Sequence, residues 1–505
     1  MIYHLVPLRW VGDPARSKRK QICCRPRDLT RRLTRLGVAA SMFGALNAAD
    51  FQALEKSAEK VPSLGKNEPE ISKAWKNGGN NFQSLENVAG VQAVLAHIQQ
   101  GFPQSIKVDT KGDADVVGLP QPYTAPCIKE GFQQQFYWDT YFINQGLLRI
   151  GMAEQARHNV NNLLLLTDQF GIVPSANRRS MANRSQTPFL SQMVRDSYEH
   201  QPDAAWLKGA VAVLKKDYQF WMTKRLAPCG LNRSGNDATE QYLMAFYYYL
   251  AKERFKGLAL ATKAEQLAFS SQALSEAETW DFTPRYDRRA EEFCPLDLNS
   301  NLYIYEMNFA WFSKILGAGE ETAWLAKAEQ RKALMQELLW NEKLGCYGDY
   351  DWKNRKQGDL VSCATLYPLV AGFATPQQAE RVVAKMRAVL ECEHGLATCE
   401  QRKHPFSYQW DFPNAWPPLQ LLAIQGLDRY GFKADAQRIA RKYVDTVVRN
   451  FVKTGDLWEK YNAVTGTIEV KDEYQMPRMM GWTAGVFVCA ADYLHLRNKT
   501  GEHKP

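Results

Sequence analysis

The ten cysteines of this chain include no Cys-x-x-Cys pair, and its eight histidines show no ligand spacing beside them. A metal centre is therefore not expected, and no other cofactor is called for. No run after the first fifty residues is long and apolar enough to span a bilayer, which excludes stable membrane insertion. No Gly/Ser or Pro/Gln tract interrupts the middle, so the 505 residues read as one large body behind an irregular N-terminus. Strand-like alternation is scarce. Basic character is scarce as well once position is considered. Residues 1–50 hold ten Lys and Arg against three Asp, so most of the net charge of +9 sits there and the remainder is near neutral. A phosphate-tracking surface, and with it a nucleic-acid partner, is not implied.

The leader, residues 1–49, has the order of a targeting segment. Arg31, Arg32 and Arg35 precede an apolar stretch, residues 36–49, that is too short for a membrane span but suits the core of a signal peptide. Export to the periplasm is the expectation, and a cytoplasmic protein with a basic extension is the alternative. Eight cysteines then remain in the body. Cys392 and Cys399 are close enough in sequence to be bridged after export, or to stand as two thiols.

What the chain has in abundance is amphipathic aromatics, 14 Trp and 22 Tyr. Two of the tryptophans fall with three prolines in residues 409–418, QWDFPNAWPP. Pro413, Pro417 and Pro418 lack backbone donors and bias the preceding residues to extended conformations. Residues 419–430 then read as a helix with Gly431 just past its end. A rigid loop carrying an amide pair, a carboxylate and two indoles suits a sugar, whose hydroxyls need polar partners and whose C–H faces need an aromatic plate. The plainer reading is a stiffened helix entry with its tryptophans in the core.

Helical patterns recur along the body, at residues 87–100, 142–150, 203–222, 301–316, 322–339, 377–390, 434–451 and 481–496. Thr375, Pro376 and Gln378 form a capping box before one of them. Residues 101–123 read as a loop-rich approach to the motif FQQQFYWDTY at 132–141. Adjacent helix pairs separated by irregular polar-aromatic loops predict an all-α fold, an α/α toroid whose loops converge at one end of the inner ring. Three Trp-Asp pairs lie in such loops: Trp138–Asp139, Trp280–Asp281 and Trp410–Asp411. An indole desolvates a neighbouring carboxyl and favours its protonated form, which glycoside cleavage requires of one of its two acids.

QWDFPNAWPP resembles throughout a characteristic motif of the trehalases, glycoside hydrolase family thirty-seven. Supporting similarity runs through FYWDTYF, VPSANRRSMANRSQTPFLSQMV, WDFTPRY, PLDLNS, LWEKYNA and GWTAGV. The resemblance implies a single (α/α)6 catalytic domain over residues 50–505 that hydrolyses α,α-trehalose to two glucoses with inversion. It places the general acid at Asp281 and the general base at Glu459. It assigns sugar binding to Phe132, Trp138, Asp139, Asn177, Arg184, Gln186, Glu240, Gln409, Trp410, Asn414 and Glu473. Asn177 and Arg184 would otherwise tie loops together, and Glu459 with Lys460 would be a solvated charge pair. A monomer acting on a small sugar is expected.

Two departures bear on the substrate. The family's first motif runs Pro-Gly-Gly-Arg-Phe, whereas this chain has Gly131 before Phe132. Its Arg-Pro-Glu-Ser element corresponds to Ala238, Thr239, Glu240 and Gln241. Two arginines are thus absent, with Arg178, Arg179 and Arg285 as candidate replacements. Another small α-glucoside is the alternative substrate, and a sugar-binding protein without turnover the alternative class.

Overall fold

The structure, a computed structural model, describes residues 85–255, 257–404, 407–470 and 475–497. The leader and Glu473 lie outside them. In chain order the longer elements are α1 Leu85–Ser105, α2 Tyr137–Arg149, α3 Ala153–Phe170, α4 Leu190–His200, α5 Ala204–Lys224, α6 Glu240–Tyr249 and α7 Lys263–Ser275. They continue with α8 Leu296–Leu316, α9 Glu321–Leu338, α10 Tyr367–Ala371, α11 Pro376–Val389, α12 Pro417–Arg429, α13 Lys433–Thr454 and α14 Gly481–Tyr493. Every strand among the described residues is two residues long.

Composition separates these helices into two layers. Along α14, GWTAGVFVCAADY is apolar nearly all round and almost wholly buried, so it has no face to give to water. By contrast, α13 buries Ala436, Ile439, Ala440, Tyr443, Val444 and Val447 at helical spacing and turns Arg438, Lys442 and Arg449 outward. Packing follows the same division. An inner ring runs α2, α4, α8, α10, α12, α14 and back to α2, with α1, α3, α5, α9, α11 and α13 outside it. This is an (α/α)6 toroid. The closing contact, α14 on α2, is backbone against backbone: a Cβ on Gly485 would collide with the Phe142 carbonyl, and one on Gly146 would meet Gly485 itself. The hairpin of α6 and α7 is an insertion between outer α5 and inner α8, and it leads into the Trp280–Asp281 loop.

Most expected helices lie within a few residues of their predicted bounds. Thr375 and Gln378 cap α11 reciprocally, and Asp203 caps α5 through the Trp206 N–H. Three differ. The α1 helix runs five residues past its expected end to Ser105, through Pro103. Inner α8 starts at Leu296 rather than at 301, so LDLNS forms its buried first turns. Inner α2 starts at Tyr137, which places Trp138 and Asp139 on a helix instead of before it. In all three the residues are rich in polar or irregular types, and tertiary burial overrides that local preference. Cys392 and Cys399 are separate thiols facing different carbonyls, those of Leu390 and Trp410.

Candidate active site

Because the six inner helices run the same way, the segments entering them open at one mouth of the ring. Trp138 and Asp139 are on the first turn of α2, Arg184 and Gln186 precede α4, Asp281 precedes α8, Gln409–Trp416 enters α12, and Glu459 precedes α14. Hydrogen bonds stitch these entries together. Gln186 Oε1 accepts from the Trp138 N–H (3.1 Å), and the Tyr137 hydroxyl accepts from the Phe189 and Leu190 N–H groups. Gln409 Nε2 donates to the Asp281 carbonyl (3.2 Å), and the Trp410 N–H to the Phe282 carbonyl (3.2 Å). Phe282 stands at φ +62°, in the left-handed region, and these bonds with its burial hold it there. Trp482, on the first turn of α14, donates from Nε1 to the Glu459 carbonyl (2.9 Å).

Three indoles span the mouth. Trp416 and Trp410 lie parallel with centroids 3.8 Å apart, and Trp280 stacks on Trp410 at 5.6 Å. Cations close both ends: the Arg285 guanidinium lies 4.2 Å from the Trp280 centroid and Lys460 Nζ 4.6 Å from that of Trp416. The ladder joins the loop of Asp281 to that of Glu459 through stacking and cation–π contact. It also revises the aromatic-plate expectation. Trp410 has ring neighbours on both faces, so what it offers a ligand is its buried Nε1–H, which has no partner among the described residues.

The carboxylates gather beside this ladder. Asp139 is 5% exposed, and its pKa is raised well above the usual range, first by burial, then by Glu459 and by Asp281. Its carboxyl is thus within electrostatic reach of the two proposed catalytic groups. Glu459 is buried, and its Oε2 accepts from Lys460 Nζ at 2.7 Å, so the pair is a buried ion pair and not a solvated one. Asp281 is half-buried.

The remaining predicted residues divide. Phe132 is buried edge-on to Phe136. Both amide atoms of Asn177 bond to backbone, Oδ1 to the Gln135 N–H and Nδ2 to the Val117 carbonyl, which ties loops. Asn414 Nδ2 donates to the Gln409 carbonyl, again within the loop. Arg184 differs: it is fully buried, Nη1 donates to Asn183 Oδ1 and Tyr242 OH, and Nε and Nη2 have no partner among the described residues. Gln409 Oε1 is similarly buried and unpartnered. Glu240 stands apart from these buried residues. At the first turn of α6 it is exposed and paired with Lys263, because Thr239 caps the helix and turns the next residue to solvent.

The candidate replacement arginines are engaged elsewhere. Arg285 bonds both Asp297 and Asp349, Arg178 pairs with Asp115, and Arg179 donates to the Asp113 and Val116 carbonyls.

Sequence reading missed two acids in SEAETWDF. Glu278 is fully buried; it accepts from Arg225, from the Gly235 N–H and from the Ser185 N–H, joining the loop of Asp281 to that of Arg184. Glu276, equally buried, has its pKa raised to about 7, chiefly by burial, against Arg288 and with Asp281 adding to the rise. Two glutamates within four residues of Trp280 were the available signal. A folded pKa above the unfolded 4.5 gives stability that is present below pH 4.5 and lost as pH rises through about 7. Glu276→Gln is accordingly expected to gain about 3 kcal/mol relative to the parent between pH 4.5 and pH 8. Urea midpoints at both pH values measure it; an equal difference at the two would refute this assignment.

An all-α ring with acids converging on one mouth is the architecture of the (α/α)6 glycoside hydrolases. Within that class the chain belongs to the trehalase family, whose family model matches residues 40–494. It is 32% identical over 420 residues to the periplasmic trehalase of Xanthomonas oryzae pv. oryzae, covering 78% of this chain and 72% of that one. With the periplasmic trehalase of Pseudomonas aeruginosa it shares 31% over 439 residues, 81% and 79% of the two chains. Among solved structures, the neutral trehalase Nth1 of Saccharomyces cerevisiae superposes with a TM-score of 0.64 at 26% identity, over 75% of this chain and 74% of that one. A GH63 mannosylglycerate hydrolase of Thermus thermophilus shares the fold, with a TM-score of 0.55 at 15% identity, over 80% of this chain and all of that one. The periplasmic location of the bacterial relatives agrees with the export expected from the leader. Among the described residues no helix is long and apolar enough to cross a membrane.

Proposed function

We propose that this chain is an α,α-trehalase that hydrolyses its substrate to two glucoses with inversion. Asp281, protonated, donates to the glycosidic oxygen as the C1–O bond breaks. Glu459 takes a proton from the water that attacks C1 on the opposite face. Such chemistry needs two carboxyls roughly 6.5–9.5 Å apart with room for that water. The observation that carries the reading is electrostatic: one buried carboxyl, Asp139, feels both Glu459 and Asp281, although the three enter from different inner helices. Trp138, Gln186, Arg184, Gln409 and Trp410 surround them as binding groups, with Phe132, Asn177 and Asn414 shaping the loops and Glu473 completing the set. The enzyme works as a monomer, residues 50–505 forming one catalytic domain behind a 49-residue leader, with no nucleic-acid partner.

A second reading, another small α-glucoside, is favoured by Gly131. Its φ of +59° suits glycine, and a Cβ there would already meet Cys127 Sγ at 3.2 Å and Pro477 Cβ at 3.3 Å. Position 131 therefore has little room for the arginine side chain of the family motif. Proton NMR of the chain with trehalose decides between the two. Equal initial release of α- and β-glucose is expected. Two α-glucoses would overturn inversion, and β-glucose from a different α-glucoside alone would overturn the substrate. Binding of sugar without any turnover would overturn the enzyme.

A further inference from the structure

We propose that Cys229 and Cys294 form a disulfide site, oxidised in the exported protein, that closes a covalent strap around the segment bearing Asp281. The inference rests on the export of the chain and not on the sugar it cleaves. Their sulfurs stand 3.5 Å apart as thiols, and among the described residues no other two cysteines make such a contact. A disulfide needs about 2.0 Å between sulfurs. The difference is within the reach of side-chain rotation at a turn.

The two come from independent, well-anchored elements. Cys229 sits in the turn of residues 226–232, where the Ala227 N–H donates to the Leu231 carbonyl and the Gly230 N–H to that of Ala227. Cys294 belongs to the two-residue strand Phe293–Cys294, which pairs with Tyr350–Asp351. Sixty-five positions separate them, and the closed loop contains α6, α7 and the Trp280–Asp281–Phe282 turn. Arg225, just before this loop, already pairs with Glu278 within it, so the bond would add a covalent closure to an ion pair that holds the same segment.

Reactivity is divided between the thiols in the way exchange requires. Cys229 is half-buried between exposed Pro228 and Gly230, and hydrogen bonding from Cys294 lowers its pKa to about 6. Cys294 is fully buried, and burial followed by Cys229 itself holds its pKa well above the ordinary value. Cys229 is thus the nucleophile. Its thiolate attacks an incoming disulfide, such as that of a protein dithiol oxidase or oxidised glutathione, and releases one donor thiolate. Cys294 then loses its proton and attacks the Cys229 sulfur, releasing the second. Two thiols lose two protons and two electrons, and the donor disulfide becomes two thiols.

The full chain, reduced and then exposed to oxidised glutathione at pH 8, is alkylated and digested without reductant. A linked peptide pair containing Cys229 and Cys294 is expected, absent when reductant is added. Free alkylated Cys229 and Cys294, glutathione retained on Cys229 alone, or linkage to any other cysteine would each overturn the proposal. Cys229→Ser supplies the second readout. It should lower the melting temperature of the oxidised protein by roughly 3–5 °C, from the loop-closure entropy of a loop this long, and leave that of the reduced protein unchanged. An equal drop in both states would mean packing and not a bond.

Discussion

Asp281→Asn should lower kcat on trehalose by about 10³-fold or more, while α-glucosyl fluoride, whose leaving group needs no proton, remains a substrate. The asymmetry follows from the role assigned to the side chain: general acid catalysis contributes roughly 10²–10⁴-fold, and only where the departing oxygen must be protonated. Glu459→Gln should lose a similar factor on both substrates, because water must be deprotonated whichever group leaves. Added azide, which needs no base, should restore turnover of the fluoride with β-glucosyl azide as product. Stability has to be measured beside these rates. Glu459 shares a buried ion pair with Lys460, and breaking one typically costs about 3–5 kcal/mol. Asp281 is half-buried, its carbonyl rather than its side chain bonded by Gln409, so its variant should melt near the parent temperature. Retention of a tenth of the parent kcat by Asp281→Asn would end its assignment as the acid.

The same two residues show what was legible in the sequence. The all-α ring could be read from periodicity because a toroid needs only short-range signals: apolar spacing, caps such as Thr375–Gln378, and proline at the start of α12. Convergence of the loops also follows, since inner helices with outer ones between them must run in one direction. Side-chain commitment is another matter. That Arg285 is consumed by Asp297 and Asp349, that Glu240 faces Lys263, and that Asn177 ties Gln135 to Val117 are outcomes of contacts 12 to 64 positions apart or across a helix surface. Motif matching assigns a position; only packing assigns its hydrogen bonds. The tryptophans of QWDFPNAWPP illustrate the point: they are core, stacked and buried, as the plainer reading has it, and that stack sets the Asp281 loop against that of Glu459.

Arg184 is where that distinction has the largest consequence for binding. Substituting Arg184→Met is expected to lower kcat/KM for trehalose by about 10²–10³-fold with little loss of thermal stability. Two of its donors, Nε and Nη2, are buried without a partner among the described residues, and hydrogen bonds from a charged donor are worth about 1.5–3 kcal/mol each. A pair of such bonds to sugar hydroxyls, less what imperfect geometry removes, gives that range. The stability forecast has the opposite logic. A buried guanidinium that the fold leaves half-satisfied stabilises the free protein little, and an apolar side chain of similar volume often replaces one at no cost. Were Arg184 instead a loop tie through Asn183 and Tyr242, the melting temperature would fall and kcat/KM would follow it only through unfolded protein. Guanidinium separates the cases further: added to Arg184→Ala at concentrations below denaturation, it should restore part of kcat/KM. With two arginines of the family pattern replaced by Gly131 and Ala238, Arg184 is expected to carry a larger share of sugar recognition than one arginine among three would. A drop of less than about threefold in Arg184→Met would mean the sugar is held by the neutral groups, Gln409 and Trp410, and that the lost arginines were never the main source of affinity in this site.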